Sequence, residues 1–265
     1  MATESTHLEM IMETLSIIDK PQESNTHKFM NNNYSSVNIN IPLCHFNSNK
    51  IIYNYSNVDL SAYSSEHSLI IFDWDDTFFP TTFISNCTNV EEISAGEMSQ
   101  IHVIEILVMD IIVLAKLLGE CCIVSNASES WIMSCINKYY PHLYEILDNK
   151  VSIISSMDRF TVAPIFKDPS VDGNTIRKYE TFKEEVLMRN VDGNNINRII
   201  SVGDSDIEKD ALHLIHKIDP TIILISVKLL SYPSLKNLFD ELMTIKKNLR
   251  KMVTQKESTD FIFQA

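Results

Sequence analysis

The stretch Ser68-Leu69-Ile70-Ile71-Phe72-Asp73-Trp74-Asp75-Asp76-Thr77 runs from an unbroken apolar segment straight into a cluster of acids. A strand with one wet face alternates apolar and polar residues, so Leu69–Phe72 reads as a strand covered on both faces. Similar runs follow at Cys121–Val124, Val151–Ile154, Ile199–Val202 and Ile222–Val227. Helical patterns separate them at about 101–118, 129–139, 182–190 and 208–217, and another follows at 234–252. Buried strands alternating with helices predict an α/β domain, a doubly wound parallel sheet of the Rossmann-like kind. In such sheets ligands bind beyond the carboxyl ends of the strands. The polar residues that follow each strand are therefore where chemistry is expected.

Composition narrows the alternatives. The chain has 265 residues and a net charge of −13, from 35 acidic against 22 basic residues. That balance argues against a nucleic-acid or anionic-membrane partner, which would be held by Lys and Arg on phosphates. The five glycines cannot write a GxGxxG or Walker A loop, which excludes the common dinucleotide and P-loop sites. The five cysteines contain no CxxC, and the eight histidines no HExxH or HxH, so zinc has no support. The N-terminus lacks the basic and apolar regions of a secretory signal. The apolar segment Ile101–Leu118 is interrupted by His102, Glu105, Asp110 and Lys116, against a membrane span. A soluble protein of the reducing cytoplasm is expected.

Organisation follows the composition. Residues 1–35, rich in Asn and Ser like the segment after them, read as a disordered polar arm. Residues 36–66, with Val37, Ile39 and Ile41 alternating and Ile51, Ile52, Tyr53 and Tyr55 following, could add one or two edge strands. The main domain is expected over 67–255. Lys246, Lys247, Arg250, Lys251 and Lys256 read as a solvated helix face, with contact to an acidic partner as the alternative.

The strand ends carry specific residue types. Asp73, Asp75 and Asp76 after the first strand would repel one another unless a cation sat among them, and oxygen ligands suit a hard divalent ion. Taken alone they could equally be an Asp-rich turn. Ser125 and Asn126 after the second strand could cap a helix or cradle an anion. After the fourth strand, Gly203 permits a tight turn, Asp204 stands at the strand end, and Glu208 follows on a helix. The bland reading there is a capped helix with acids placed favourably for its dipole. Lys178 and Lys183 precede that strand.

Taken in order, Asp73-x-Asp75-x-Thr77, Ser125, Lys178 and Gly203-Asp204-Ser205 resemble the four motifs of the haloacid dehalogenase superfamily. The resemblance covers roughly residues 68–230. Lys178 fits the lysine position because Phe182 and Val186 follow at helical spacing, and Lys183 is its rival. Glu208 stands where many members carry Asp. The resemblance implies a Mg²⁺-dependent phosphatase acting on phosphorylated substrates. Asp73 would be the nucleophile that forms an aspartyl-phosphate, and Asp75 the acid and base. Ser125 and Asn126 would bind the phosphate, and Lys178 would offset its charge. Asp73, the Asp75 carbonyl, Asp204 and Glu208 would hold the metal.

Only residues 78–120 separate the first two strands, and 126–177 already hold a helix, a strand and a loop. No large cap domain fits, so an open site is expected, which the resemblance links either to large phosphorylated substrates or to a cap supplied by another subunit. Residues 85–100, with Glu91, Glu92 and Glu97, are expected to form a flap, its acids solvated. A catalytically idle scaffold protein is the alternative function. A receiver-like domain, which would carry its Asp on the third strand, does not fit, because that strand ends Ser155-Ser156-Met157.

Overall fold

The computed structural model describes residues 45–47, 50–52, 67–87, 93–147, 151–162 and 170–263. The chain divides into two units, Met1–Val58 and Asp59–Ala265. In the first, β1 (His45–Asn47) and β2 (Lys50–Ile52) form an antiparallel hairpin with His45 opposite Ile52. The two strands pair with each other as a sheet of their own. The proposed arm at 1–35, the alternation at Val37, Ile39 and Ile41, and Tyr53 and Tyr55 lie outside the described residues.

The second unit is built on six strands: β3 (Ser68–Phe72), β4 (Glu120–Ser125), β5 (Ser152–Ser155), β6 (Arg198–Gly203), β7 (Ile223–Lys228) and β8 (Thr259–Ile262). They lie in the order β5-β4-β3-β6-β7-β8, every neighbouring pair parallel. Among these six, that is the order third, second, first, fourth, fifth, sixth, in which the winding reverses between β3 and β6. The fold class is therefore α/β with an all-parallel sheet flanked by helices, as the apolar runs predicted.

Alternation along the strands accounts for those runs. Leu69 and Ile71 of β3 join Cys122, Val124, Ile199 and Leu224 in one core, together with Tyr179, Phe182 and Val186 of α6 (Gly173–Val191) and Ala211, Leu212 and Ile215 of α7 (Asp206–Ile218). Ile70 and Phe72 point to the opposite face and are buried as well. On that face α2 (Ala95–Leu118), which leads into β4, packs against α8 (Leu235–Val253). Where α2 gives way to β4, a Cβ on Gly119 would stand 2.6 Å from the Ser68 carbonyl oxygen, so only glycine admits this approach of β4 to β3. The remaining helices are α1 (Thr81–Asn86), α3 (Glu129–Tyr139), α4 (Tyr144–Leu147) and α5 (Ser156–Arg159).

Several boundaries differ from the sequence reading, each for a local reason. The helix expected over 182–190 begins at Gly173, because the Asp172 carboxylate caps it through the Asn174 and Thr175 N–H groups. The helix expected over 101–118 begins at Ala95 behind a Ser94–Glu97 capping box. Residues 95–100 are thus the first turns of α2 and not a flap, and Glu97 serves the cap. Glu91 and Glu92 lie outside the described residues. The basic residues near the C-terminus do not form one solvated face. Lys246 pairs with Asp110 of α2 at 2.6 Å and Arg250 is buried, while Lys247, Lys251 and Lys256 are exposed. Strand β8 was not expected at all. Among the described residues no helix is long and apolar enough to cross a membrane.

Candidate functional site

The loop after β3 is shaped by its aromatic residues. Trp74, Phe78 and Phe79 are fully buried; Phe78 stacks on Phe72 and Trp74 on Phe79, with Tyr140 edge-on to Trp74 and Phe79. Tyr140 Oη donates to the Phe78 carbonyl at 2.9 Å. The Trp74 carbonyl accepts from the N–H groups of Thr77, Phe78 and Phe79, which folds the chain into a tight turn. Anchored in this way, the turn fixes the acids between its apolar residues.

The three aspartates then take three different parts. Asp73 N–H donates to the Val202 carbonyl at 2.9 Å, which places this residue at the junction of β3 and β6. Asp75 faces away from it: Thr81 Oγ1 and Trp131 Nε1 donate to Oδ1 at 2.6 and 3.1 Å, and Ser125 Oγ to Oδ2 at 3.3 Å. Asp76, with φ of 51°, turns to the start of α1, where its carboxylate accepts from Thr82 N–H at 2.8 Å and from the Thr82 hydroxyl. Asp76 is thus a helix anchor, although the sequence groups it with the other two.

Lys178 lies in the second turn of α6 and is 1% exposed. Its Nζ stands 2.8 Å from Asp73 Oδ1 and also pairs with Glu208 Oε1. The other Glu208 oxygen closes a capping box with Ser205 at the start of α7. Gly203 makes room for that carboxylate, since a Cβ there would lie 2.5 Å from Glu208 Cγ. Lys183, the rival lysine, pairs with Glu180 and lies over the Tyr179 ring, half exposed. Ser125 and Asn126 stand at the end of β4 as expected: Ser125 Oγ also accepts from Ala127 N–H at 3.0 Å, and Asn126 Oδ1 is buried without a hydrogen-bond partner.

Asp73, Asp204 and Glu208 each bring a carboxylate oxygen within 4.8 Å of one another, a group that could hold a metal ion. The Asp75 carboxylate is not part of this group. Burial pushes Asp73 well above the ordinary carboxylate range, against the pull of Lys178 and with the help of Glu208. Burial likewise raises Asp204 to about 7, aided by Glu208 and Asp76. Burial works against the charge on Lys178, but Asp73 and Glu208 outweigh it and hold the ammonium protonated. Glu208 feels the same burial and is nonetheless held below its usual range by Lys178. One buried ammonium thus faces several carboxylates.

Sequence reasoning missed five residues here. Thr81 and Trp131 hold Asp75. Lys228, at the end of β7, donates to the Asp204 carbonyl at 3.2 Å, and Ser231 adds a 2.8 Å bond to the same oxygen. Glu241 of α8 fixes the loop after β7 by accepting from Leu230 N–H at 2.7 Å. The position of Lys228 at a strand end was a usable signal; the other contacts depend on which way a side chain turns.

Comparison of the chain with protein-family models, with curated proteins and with solved structures finds no match.

Proposed function

We propose that this protein is a Mg²⁺-dependent phosphatase of the haloacid dehalogenase type, which hydrolyses phosphomonoesters through a phosphate ester on Asp73. The carrying observation is the buried ammonium of Lys178, set between Asp73 and Glu208 at the point where the sheet reverses its winding. A buried lysine between two carboxylates could be purely structural. Its position beyond the strand ends, beside the further acid Asp204 and at the same edge of the sheet as Ser125 and Asn126, favours a phosphate site instead.

The donor set fits a hard cation. Asp73 Oδ1 is buried and has no hydrogen bond of good geometry, and burial together with neighbouring carboxylates keeps Asp73 and Asp204 from ionising easily. Mg²⁺ takes oxygen ligands, so Asp73, Asp204 and the Asp75 carbonyl would hold it, with Glu208 directly or at one remove. When bound it would neutralise charge on the phosphoryl oxygens. Glu208 already gives its oxygens to Lys178 and Ser205, so its main part is to hold the lysine.

The chain's own residues then divide the chemistry. An Asp73 oxygen attacks phosphorus as the ester P–O bond breaks, and Asp75 gives its proton to the departing oxygen. A water then attacks the Asp73 phosphate while Asp75 takes its proton back, which releases inorganic phosphate and restores both carboxyl groups. Lys178 offsets charge on Asp73 and the phosphoryl oxygens. Ser125 leaves Asp75 to donate to a phosphate oxygen, and the amide of Asn126 supports it. The lengths of 78–120 and 126–177 leave no room for a large cap, so the substrate class extends to macromolecular phosphoesters.

The test is turnover of a panel of phosphomonoesters and phosphopeptides by the purified chain, with Mg²⁺ and with excess chelator. Hydrolysis that Mg²⁺ supports and the chelator abolishes is expected. Mg²⁺-independent hydrolysis would remove the metal from this reading, and no hydrolysis across the panel would leave the idle scaffold in its place.

A further inference from the structure

We infer that Trp131 is a positioning residue for Asp75, and that its ring forms the wall of the site against which the leaving group of the substrate lies. The inference rests on the phosphatase reading above. Three donors converge on the Asp75 carboxylate. Thr81 comes from the end of its own loop and Ser125 from the end of β4, but Trp131 alone brings a large flat side chain. It is the third residue of α3, whose start is fixed by Ser128 Oγ accepting from the Trp131 N–H at 3.2 Å. The backbone of Trp131 is therefore pinned at the helix cap and its indole edge at Asp75. Yet the residue is 39% exposed, unlike the buried Trp74. A tryptophan held at both ends and still open to solvent presents a rigid aromatic surface.

The location of that surface follows from the chemistry. A general acid lies within hydrogen-bond reach of the oxygen it protonates. Asp75 protonates the leaving oxygen, so the group on that oxygen comes close to whatever else touches Asp75. Trp131 Nε1 lies 3.1 Å from the carboxylate, which sets the indole beside the leaving group. The N–H serves Asp75 and the ring serves the leaving group. Flat or apolar leaving groups, such as aryl or nucleoside alcohols, are the class such a wall accepts.

The two parts separate by substitution. Trp131→Phe keeps a ring and removes the N–H, whereas Trp131→Ala removes both. The readout is kcat/KM, which reports steps up to formation of the phosphoenzyme, for an aryl phosphate and for an alkyl phosphate. An aryl oxygen leaves with little protonation. Loss of a supporting contact of this kind is worth about 10–100-fold, so Trp131→Phe is expected to lower the alkyl ester by that factor and the aryl ester by less than about threefold. Trp131→Ala is expected to lower both. The indole ¹⁵N–¹H resonance of Trp131, assigned through Trp131→Phe, is expected to shift in Asp75→Asn. Equal loss on both esters in Trp131→Phe, or no loss, overturns the positioning role. An aryl kcat/KM that Trp131→Ala leaves unchanged overturns the wall, and an unmoved indole resonance overturns the contact itself. A wild-type chain inactive on both esters removes the phosphatase reading, and this inference with it.

Discussion

Asp73 and Asp75 are two residues apart and face different neighbours, so their substitutions separate cleanly. Asp73→Asn is expected to abolish turnover and phosphoenzyme formation together. On the proposed mechanism Asp75→Asn keeps the nucleophile and is expected to lose about 10²–10⁴-fold in turnover and to accumulate phosphoenzyme from an aryl phosphate, because the second step would lack its base. Rapid-quench capture of protein-bound phosphate distinguishes the two. Lys178→Met would leave Asp73 and Glu208 buried without their cation; removing one member of a buried charge network typically destabilises by about 3–5 kcal/mol. Lys183→Ala, at a half-exposed pair, is expected to change stability by less than about 0.5 kcal/mol. Thermal unfolding and turnover of both variants check the assignment. Lys178, Asp73 and Asp204 were legible because strand ends and helical spacing are written along the chain. The separate part of Asp76 and the bonds to Asp75 were not, because they depend on a positive φ and on side chains from α1 and α3 that no local pattern announces.

At the level of elements, two close contacts decide how the site is supported. Gly203→Ala would push Glu208 away from its place and with it the partner of Lys178. Turnover is expected to fall by about 10–100-fold, the range for lost support of a site, with the fold intact by circular dichroism. On the other side of the sheet, Glu105 of α2 is buried and accepts from the N–H groups of His142 and Leu143 at 2.6 and 3.0 Å. It thereby ties α2 to the turn after Tyr140, whose hydroxyl holds the loop of the acids. Glu105→Leu would leave two donors unpaired, at about 1–3 kcal/mol each. Glu105→Gln retains an acceptor and is expected to lose less, as denaturant midpoints would show. The helices and strands themselves were legible wherever apolar residues set the period. Starts set by Ser94 and Asp172 caps were placed too late, since those first turns carry few apolar residues. Strand β8 escaped because Thr259-Asp260-Phe261-Ile262 alternates at an edge that only β7 completes.

The molecule as a whole carries a pH signature. Burial raises Glu241 to about 7, whereas an unfolded glutamate titrates near about 4.3. The folded chain thus keeps this proton better than the unfolded one. The stability it contributes is full below about pH 4.3 and is lost as pH rises through 7. Glu241→Gln retains an acceptor for Leu230 N–H and removes the titration. Its melting temperature is expected to gain on the wild type between pH 5 and 8, and parallel pH profiles of the two proteins would exclude this.

The strand order has a consequence for how the chain comes into being. Ser68 and Arg198, partners at the start of the two central strands, are 130 residues apart in sequence. During synthesis at about 5–20 residues per second, β3 waits several seconds for β6 to leave the ribosome. Until then the apolar edge of the central strand is open, and Asp73 has neither Lys178 nor Glu208 beside it. The nascent chain therefore cannot assemble this buried charge cluster until most of it has been made, and meanwhile its most apolar strand stays open to chaperones and to other unfinished copies.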